Sequence, residues 1–276
     1  METRVNNENP VRRSLLAGEF CFGSWIQIGP YPALAEILAA AGYDWLGIDC
    51  EHSEIDVEGV TALARGMYGR GTVPLARVRE NDTLAIRQVL DAGVQGIIVP
   101  LINSAAEAEC AVAAAKYPPQ GVRGFCFSRM NDYGLHFDEY VRHANEQVAV
   151  VAMIESREAV ERIDDIVGVH GIDGVFIGPY DMSGSFGITG QTTHPIIRNA
   201  CQAVVASCKR HGKAAGLHVV HPTRENIEGA IADGFTFLAL GVDAVFLRQA
   251  SRTALERARQ TLPVPGGIRR PLSART

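Results

Sequence analysis

Short apolar runs of strand type alternate along this chain with longer segments in which apolar residues recur at helical spacing. The runs predict eight strands, at residues 23–28, 45–50, 73–78, 96–101, 148–154, 174–177, 214–220 and 235–240. A helix is predicted after each strand, at residues 32–41, 56–67, 82–91, 104–115, 156–167, 195–211, 223–232 and 242–259. Eight such units in about 240 residues predict an α/β fold, the (β/α)8 TIM barrel, with all strands parallel.

The same pattern divides the chain into three parts. Residues 1–20 are polar and predict a flexible N-terminal arm with room for a short helix, and residues 21–260 predict one barrel domain. Residues 261–276 are rich in Pro, Gly and Arg and predict a disordered tail. Residues 117–146 interrupt the repeat as an irregular excursion, and long loops of this kind often carry function.

A doubly wound open sheet is the alternative fold. That fold binds nucleotides through glycine-rich turns, and here no G-x-G-x-x-G follows the first strand and no G-x-x-x-x-G-K occurs.

Composition narrows the classes of partner. The net charge of −5 and the pI near 5.9 provide no basic surface for nucleic acid or an acidic membrane. No apolar stretch reaches the 18 residues of a membrane span, and the N-terminus has no apolar signal core, so we expect a cytoplasmic protein. The six cysteines form no C-x-x-C pair and predict buried thiols rather than a zinc or redox site.

Polar side chains collect where a barrel keeps its chemistry, at the carboxyl ends of the strands. They lie at or just beyond the ends of strands two, three, five and six, and they are Asp49, Glu51, His52, Arg77, Glu155 and Asp181. Each also has a structural interpretation. A carboxylate after a strand is often a helix N-cap, a lone histidine is often a hydrogen-bonded structural residue, and an arginine in a barrel often neutralises a buried acid.

Glu155 and Asp181 follow neighbouring strands, which lie about 4.8 Å apart in a parallel sheet. Two oxygen ligands without a His or Cys cluster favour a hard divalent cation, Mg²⁺ or Mn²⁺, with Co²⁺ as a further candidate. The remaining coordination positions suit water and a bidentate 2-oxo acid, whose enolate the cation stabilises as a Lewis acid. The break at Gly178 and Pro179 allows the backbone to approach such a ligand closely.

The lysines exclude the other common route to carbon–carbon chemistry. Only Lys116, Lys209 and Lys213 occur, and none is predicted at the catalytic mouth, where a Schiff-base aldolase needs one.

Five segments together resemble the HpcH/HpaI aldolase/citrate lyase family: DWLGIDCEH (44–52), PLAR (74–77), YPPQGVRG (117–124), MIE (153–155) and GVFIGPYDMS (174–183). The similarity extends from about residue 14 to residue 260. It is greatest to class II aldolases of the 2,4-dihydroxyhept-2-ene-1,7-dioate and 2-dehydro-3-deoxyglucarate type. The resemblance implies reversible cleavage of a 4-hydroxy-2-oxo acid to pyruvate, or a related 2-oxo acid, and an aldehyde.

The resemblance also implies roles for particular residues. Glu155 and Asp181 would bind the cation, Arg77 would contact the 2-oxo group, and His52 would transfer a proton. Asp49 would orient His52. The substrate would be held by the backbone of four consecutive residues, Gly178, Pro179, Tyr180 and Asp181, and by the side chains of Trp25 and His218.

Asp91 corresponds to an aspartate that partners the histidine in related aldolases. Its predicted position before strand four is on the wrong face of its own barrel, so it would act only in the site of another subunit. A surface acid at a helix end is the alternative. The resemblance further implies a homo-oligomer, a hexamer or a trimer, in which the last helix packs on a neighbouring subunit.

Two residues depart from the pattern of the relatives and concern the substrate more than the reaction. Met153 stands where many relatives carry a glutamine, and His218 stands where relatives often carry an apolar residue. At the mouth, His218 would alter the aldehyde preference; a buried, hydrogen-bonded core histidine is the alternative. Other functions remain open on the same barrel: an enolate-forming decarboxylase or cyclase, a lyase for CoA esters, or a noncatalytic 2-oxo-acid-binding protein.

Overall fold

The computed structural model describes residues 8–261, and eight parallel strands in it close into a barrel in the order of the sequence. The strands are β1 (Cys21–Ile26), β2 (Trp45–Asp49), β3 (Val73–Arg77), β4 (Gly96–Val99), β5 (Ala149–Ile154), β6 (Gly174–Ile177), β7 (Ala214–Val219) and β8 (Phe237–Val242). β8 pairs with β1 and completes the closure. The predicted (β/α)8 barrel is therefore confirmed, and closure excludes the open sheet.

Helices connect the strands along the outside of the barrel. Within the described part of the chain they are α1 (Pro10–Ala17), α2 (Pro32–Ala40), α3 (Val57–Met67), α4 (Thr83–Ala92), α5 (Ala105–Ala115), α6 (Phe137–Gln147), α7 (Arg157–Glu161), α8 (Ile163–Gly168), α9 (Pro179–Ser185), α10 (Pro195–Arg210), α11 (Arg224–Ala232) and α12 (Asp243–Thr261). Side-chain oxygens cap several helix starts by accepting first-turn amide hydrogens. They belong to Asp56, Asp82, Ser104, Ser156 and Thr223.

The N-terminal arm is packed, not loose, from residue 8 onward. α1 buries Val11 and Leu15 in the barrel interior, and Arg12 pairs with the buried Asp173 at 2.9 Å. The expectation of a flexible arm is wrong for this segment, because two apolar side chains four residues apart suffice to dock one helix face. Residues 1–7 and the predicted disordered tail from residue 262 lie outside the described residues.

The excursion at residues 117–146 is more regular than predicted. It contains a short 3-10 helix, Arg129–Gly134, and most of α6. The apolar residues of α6, Phe137, Tyr140, Val141 and Ala144, recur at helical spacing, so the sequence carries a helix signal that a prediction built on the eight-unit repeat did not use.

Two expectations from composition have different outcomes. Within residues 8–261, no helix combines the length and the apolar character needed to cross a membrane. Cys21, Cys50 and Cys208 are buried as expected, but Cys110 is exposed and two other cysteines are half-buried.

Alternate residues of each strand point into the barrel and determine what reaches its mouth. On β3 the inward residues Val73 and Leu75 precede Arg77, and on β5 Val151 and Met153 precede Glu155. The inward positions, which recur every two residues, are therefore apolar within the barrel and polar at the carboxyl ends of these strands.

Four aromatic rings fill the interior below the mouth: those of Trp25, Trp45, Phe176 and Phe237. Glycines on the inward positions make room for them. A Cβ atom on Gly23 would lie 2.1 Å from Trp45, and one on Gly216 would lie 2.6 Å from Phe176. The apolar floor of the mouth thus depends on residues without side chains.

Replacing Gly23 by alanine tests this packing. The added methyl group overlaps a buried indole ring that has no space to move into, so we expect Gly23→Ala to lower the free energy of unfolding by about 3 kcal/mol. Gly229→Ala is the matched control, because nothing lies within 4 Å of its Cβ position in α11. Equal urea midpoints for the two variants would contradict the tight floor.

Candidate active site

A buried ion pair forms one wall of the mouth. Asp49 ends β2, Arg77 ends β3, and the two are partners in the strand register. Arg77 donates from Nε to Asp49 Oδ1 at 2.8 Å and from Nη2 to Oδ2 at 2.6 Å, and Gln27 Nε2 donates to Oδ2 at 2.5 Å. Burial alone would raise the pKa of Asp49, but the hydrogen bonds and charge of Arg77 bring it below the ordinary value.

His52 is not oriented by Asp49 as expected. Asp49 Oδ1 accepts from the backbone N–H of His52 at 3.2 Å, whereas the imidazole is 60% exposed and lies nearest to Glu51, with 3.6 Å between Nε2 and Oε2. The expected role of Asp49 is corrected accordingly, because the two oxygens of Asp49 are occupied by Arg77, Gln27 and backbone amides.

Glu51 is the residue to which sequence reasoning assigned no role of its own. Its Oε2 lies 3.3 Å from Arg77 Nη1 but accepts no well-formed hydrogen bond, although it is buried. Burial raises the pKa of Glu51 despite the nearby positive charge of Arg77. Its position two residues after Asp49, at the same strand end, is the signal that identifies it.

Glu155 follows β5 and is almost completely buried. Its Oε2 accepts from the backbone N–H of Leu101 at 3.1 Å, and a Cβ atom on Gly178 would lie 2.7 Å from its Oε1. Burial raises the pKa of Glu155 to about 7, and the charges of Glu51 and Asp181 act in the same direction. Glycine at position 178 therefore gives this carboxylate its space.

Asp181 lies in the first turn of α9, immediately beyond β6. Its charge contributes to the raised pKa values of both Glu51 and Glu155, so three carboxylates gather at the mouth. Such a surplus of negative charge fits a divalent cation. Within residues 8–261 no three His, Cys, Asp or Glu side chains form a complete metal-binding group, so a cation held by two carboxylates would need water or substrate as further ligands.

One cavity of about 970 Å³ brings most of the expected site together. It is lined by Trp25, Arg77, Glu155, Gly178, Pro179, Tyr180, Asp181 and His218, and it continues outward between α10 and α11. His52 and Asp49 lie at the same end of the barrel but do not line this cavity.

Asp91 lies at the opposite end of the barrel, in the last turn of α4. Its carboxylate accepts from Arg123 Nη2 at 2.7 Å and from Cys126 Sγ at 3.2 Å. It does not line the cavity of its own barrel, and the sequence likewise predicted that it lies outside that site.

No lysine of this chain lines the cavity, and all three lie within the described residues. Lys116 Nζ donates to the backbone oxygen atoms of Asn145 and Val148, Lys213 Nζ donates to that of Ile172, and Lys209 is in the last turn of α10. The positions of the lysines therefore agree with the sequence prediction.

Comparisons with known proteins add the family. The model of the HpcH/HpaI aldolase/citrate lyase family matches residues 23–250. The chain belongs to this family. It is similar to a pyruvate aldolase of Rhizobium etli, with 38% identity over 93% of this chain and 99% of the relative. It is also similar to a 4-hydroxy-2-oxo-heptane-1,7-dioate aldolase of Escherichia coli, with 35% identity over 94% and 99%.

A solved structure of the family agrees in fold. The crystal structure of an HpcH/HpaI aldolase/citrate lyase family protein from Burkholderia cenocepacia matches with a TM-score of 0.87 and 30% identity, covering 91% of this chain and 99% of that one. The resemblance found in the sequence motifs is therefore confirmed.

The raised pKa of Glu155 predicts how the stability of the metal-free protein depends on pH. The folded carboxyl keeps its proton up to about pH 7, whereas the ordinary value is 4.5, so stability falls as the pH rises through this interval. Glu155→Gln has no proton to lose, and we expect it to exceed the wild type at pH 8 by up to about 3 kcal/mol and to match it at pH 4.

Urea unfolding in EDTA at several pH values measures this difference. The control is Glu158→Gln, since Glu158 is exposed on α7 and forms only a surface pair with Arg162. A Glu155→Gln variant that follows the wild type at every pH would show that this carboxyl is not strained by burial.

Proposed function

We propose that this chain is a divalent-metal-dependent aldolase that reversibly cleaves a 4-hydroxy-2-oxo acid into pyruvate, or a related 2-oxo acid, and an aldehyde. The observation that carries the proposal is the meeting of Glu155, Asp181 and Arg77 in one cavity at the carboxyl ends of the strands. Membership of the family and the aldolase names of relatives that match over nearly their whole length support it.

Glu155 and Asp181 are the proposed ligands of the cation. Divalent-metal dependence is a property of the family, and Mg²⁺ or Mn²⁺, with Co²⁺ as a further candidate, suits two carboxylates. The bound cation would supply Lewis acidity and stabilise the negative charge of the enolate. The buried, mutually repelling acids described above and the missing Cβ of Gly178 fit such an ion.

Arg77 is the proposed contact of the 2-oxo oxygen. Asp49 holds two of its nitrogen atoms, which fixes the plane of the guanidinium and leaves Nη1 near Glu51 at the mouth. Asp49 thus acts as a positioning residue for Arg77. The backbone of residues 178–181, which lines the same cavity, would hold the substrate carboxylate, with Trp25 and His218 along the remaining wall.

His52 is the proposed proton carrier. In the cleavage direction it would take the proton of the 4-hydroxyl group. The C3–C4 bond then breaks, its electron pair forms the enolate beside Arg77, and protonation at C3 completes pyruvate. Glu51, 3.6 Å from the imidazole, would stabilise the protonated ring.

Domain organisation and assembly complete the proposal. We infer one barrel domain over residues 21–260, preceded by the N-terminal arm and followed by the tail, in a cytoplasmic enzyme. α12 exposes Leu247 and Leu255, which suits packing on a neighbouring subunit in a hexamer or trimer. In such an assembly Asp91 would approach the His52 of another subunit.

Exchange of the pyruvate methyl protons in D₂O tests enolisation without knowledge of the aldehyde. We expect exchange with Mn²⁺ or Mg²⁺, none after exhaustive chelation, and recovery when metal is added, because enolate formation needs the cation. NMR follows the methyl signal of pyruvate. Pyruvate consumption is then measured with each member of a panel of aldehydes. Full activity after chelation would contradict the proposal, and metal-dependent binding without exchange would indicate a noncatalytic barrel.

Gly178→Ala tests Glu155 as a ligand. The added Cβ would displace the Glu155 carboxylate, so we expect the affinity for Mn²⁺ to fall by about 10- to 100-fold, as measured by the EPR signal of the free ion. Gly184→Ala is the control in the same helix, because its Cβ position lies 3.7 Å from its nearest neighbour, Thr189 Oγ1. Unchanged affinity in a folded Gly178→Ala variant would remove Glu155 from the ligand set.

A further inference from the structure

His218 occupies an inward position of β7 at the cavity wall, and its ring is held by a backbone carbonyl. Nε2 lies 3.0 Å from the oxygen of Gly241, which also accepts from Ser24 Oγ at 3.2 Å. A carbonyl oxygen only accepts, so Nε2 must carry a hydrogen atom. This contact determines the tautomer of the ring.

The second ring nitrogen is an unused acceptor. Burial lowers the pKa of His218 to about 4, so the ring is neutral near pH 7 and Nδ1 carries a lone pair. Nδ1 forms no hydrogen bond with any residue in the described part of the chain, and it is not among the enclosed unpartnered atoms. It therefore opens to the cavity that His218 lines.

The surroundings determine what such an acceptor can bind. The imidazole packs edge-on near Trp25, with 6.4 Å between ring centroids, and the Arg77 guanidinium lies 5.1 Å from the same indole. Met153 and Phe176 contribute further apolar surface. A neutral acceptor in an apolar wall favours an uncharged hydrogen-bond donor, offers nothing to a carboxylate, and is left unpaired by an alkyl group.

We propose that His218 is a specificity-determining residue whose Nδ1 accepts a hydrogen bond from a hydroxyl group of the substrate. This inference rests on the proposed aldolase function and refines its substrate class. Two parts of the reaction can supply the hydroxyl: C3 of the 2-oxo acid, or the carbon next to the aldehyde group. Both present the same chemistry to Nδ1.

Paired substrates distinguish the two sources. Hydroxypyruvate against pyruvate, each with acetaldehyde, tests the 2-oxo acid, and glycolaldehyde against acetaldehyde, each with pyruvate, tests the aldehyde. We expect the wild type to prefer the hydroxylated member of one pair, and His218→Leu to lower that ratio of kcat/KM values about 3- to 10-fold. The ratio for the other pair should change less than about twofold.

Two further variants separate the ring nitrogens. Asn places an amide atom at the position of Nδ1, whereas Gln places one at the position of Nε2. His218→Asn should therefore retain much of the preference, and His218→Gln should lose it while keeping the contact with Gly241. Circular dichroism verifies that each variant is folded. The same ratio in all variants, or an equal loss for hydroxylated and unhydroxylated substrates, would overturn the proposal.

Binding separates failure of this inference from failure of the proposed function. Trp25 lies beside His218 and is one of two tryptophans, so its fluorescence reports binding of hydroxypyruvate and pyruvate without turnover. With no turnover in the wild type, a hydroxypyruvate preference that disappears in His218→Leu would sustain the hydroxyl site and reject the aldolase. If the wild type shows turnover or binding and His218→Leu changes the preference within neither substrate pair, the hydroxyl site alone is rejected.

Discussion

The mouth of the barrel depends on one buried carboxylate. Asp49 has no exposed surface, and burying its charge would cost several kcal/mol without partners. It accepts five hydrogen bonds: two from Arg77, one from Gln27, and one each from the backbone amides of Glu51 and His52. These donors come from the residue after β1, from the end of β3 and from the turn after β2. The electrostatic requirement of one acid thereby fixes three neighbouring segments, including the guanidinium proposed to contact the substrate.

The opposite side of the mouth has the reverse property, since its acids lack sufficient cationic partners. Glu155 is held by a single amide hydrogen bond from Leu101, and Leu101 adopts a left-handed backbone with φ of 54° to direct that N–H. Such a conformation costs a leucine about 1–2 kcal/mol. Fixed strain together with unbalanced negative charge is typical of a site prepared for a ligand, and it contrasts with the satisfied pair at Asp49.

Period and strand direction made the barrel and much of its mouth predictable from sequence, because both are local properties. Arg77 and Glu155 continue the inward alternation of β3 and β5, so their position required no knowledge of contacts. The orientation of His52 could not be predicted in this way, and the expected side-chain contact between Asp49 and His52 is not formed. Both side chains follow the same strand, and the bidentate geometry of Arg77 decides which partner Asp49 takes. α6 was missed although its apolar residues recur at helical spacing, because it lies in a segment that the strand–helix repeat does not include.

Met153 contributes apolar surface to the cavity that Glu155 also lines. It is the last inward residue of β5, two positions before Glu155, and it belongs to the apolar interior with Phe176 and Trp25. A thioether donates no hydrogen bond to Glu155, whose pKa burial raises to about 7. A proton would therefore compete with the proposed cation for this carboxylate near neutral pH, which would make loading of the proposed metal site sensitive to pH.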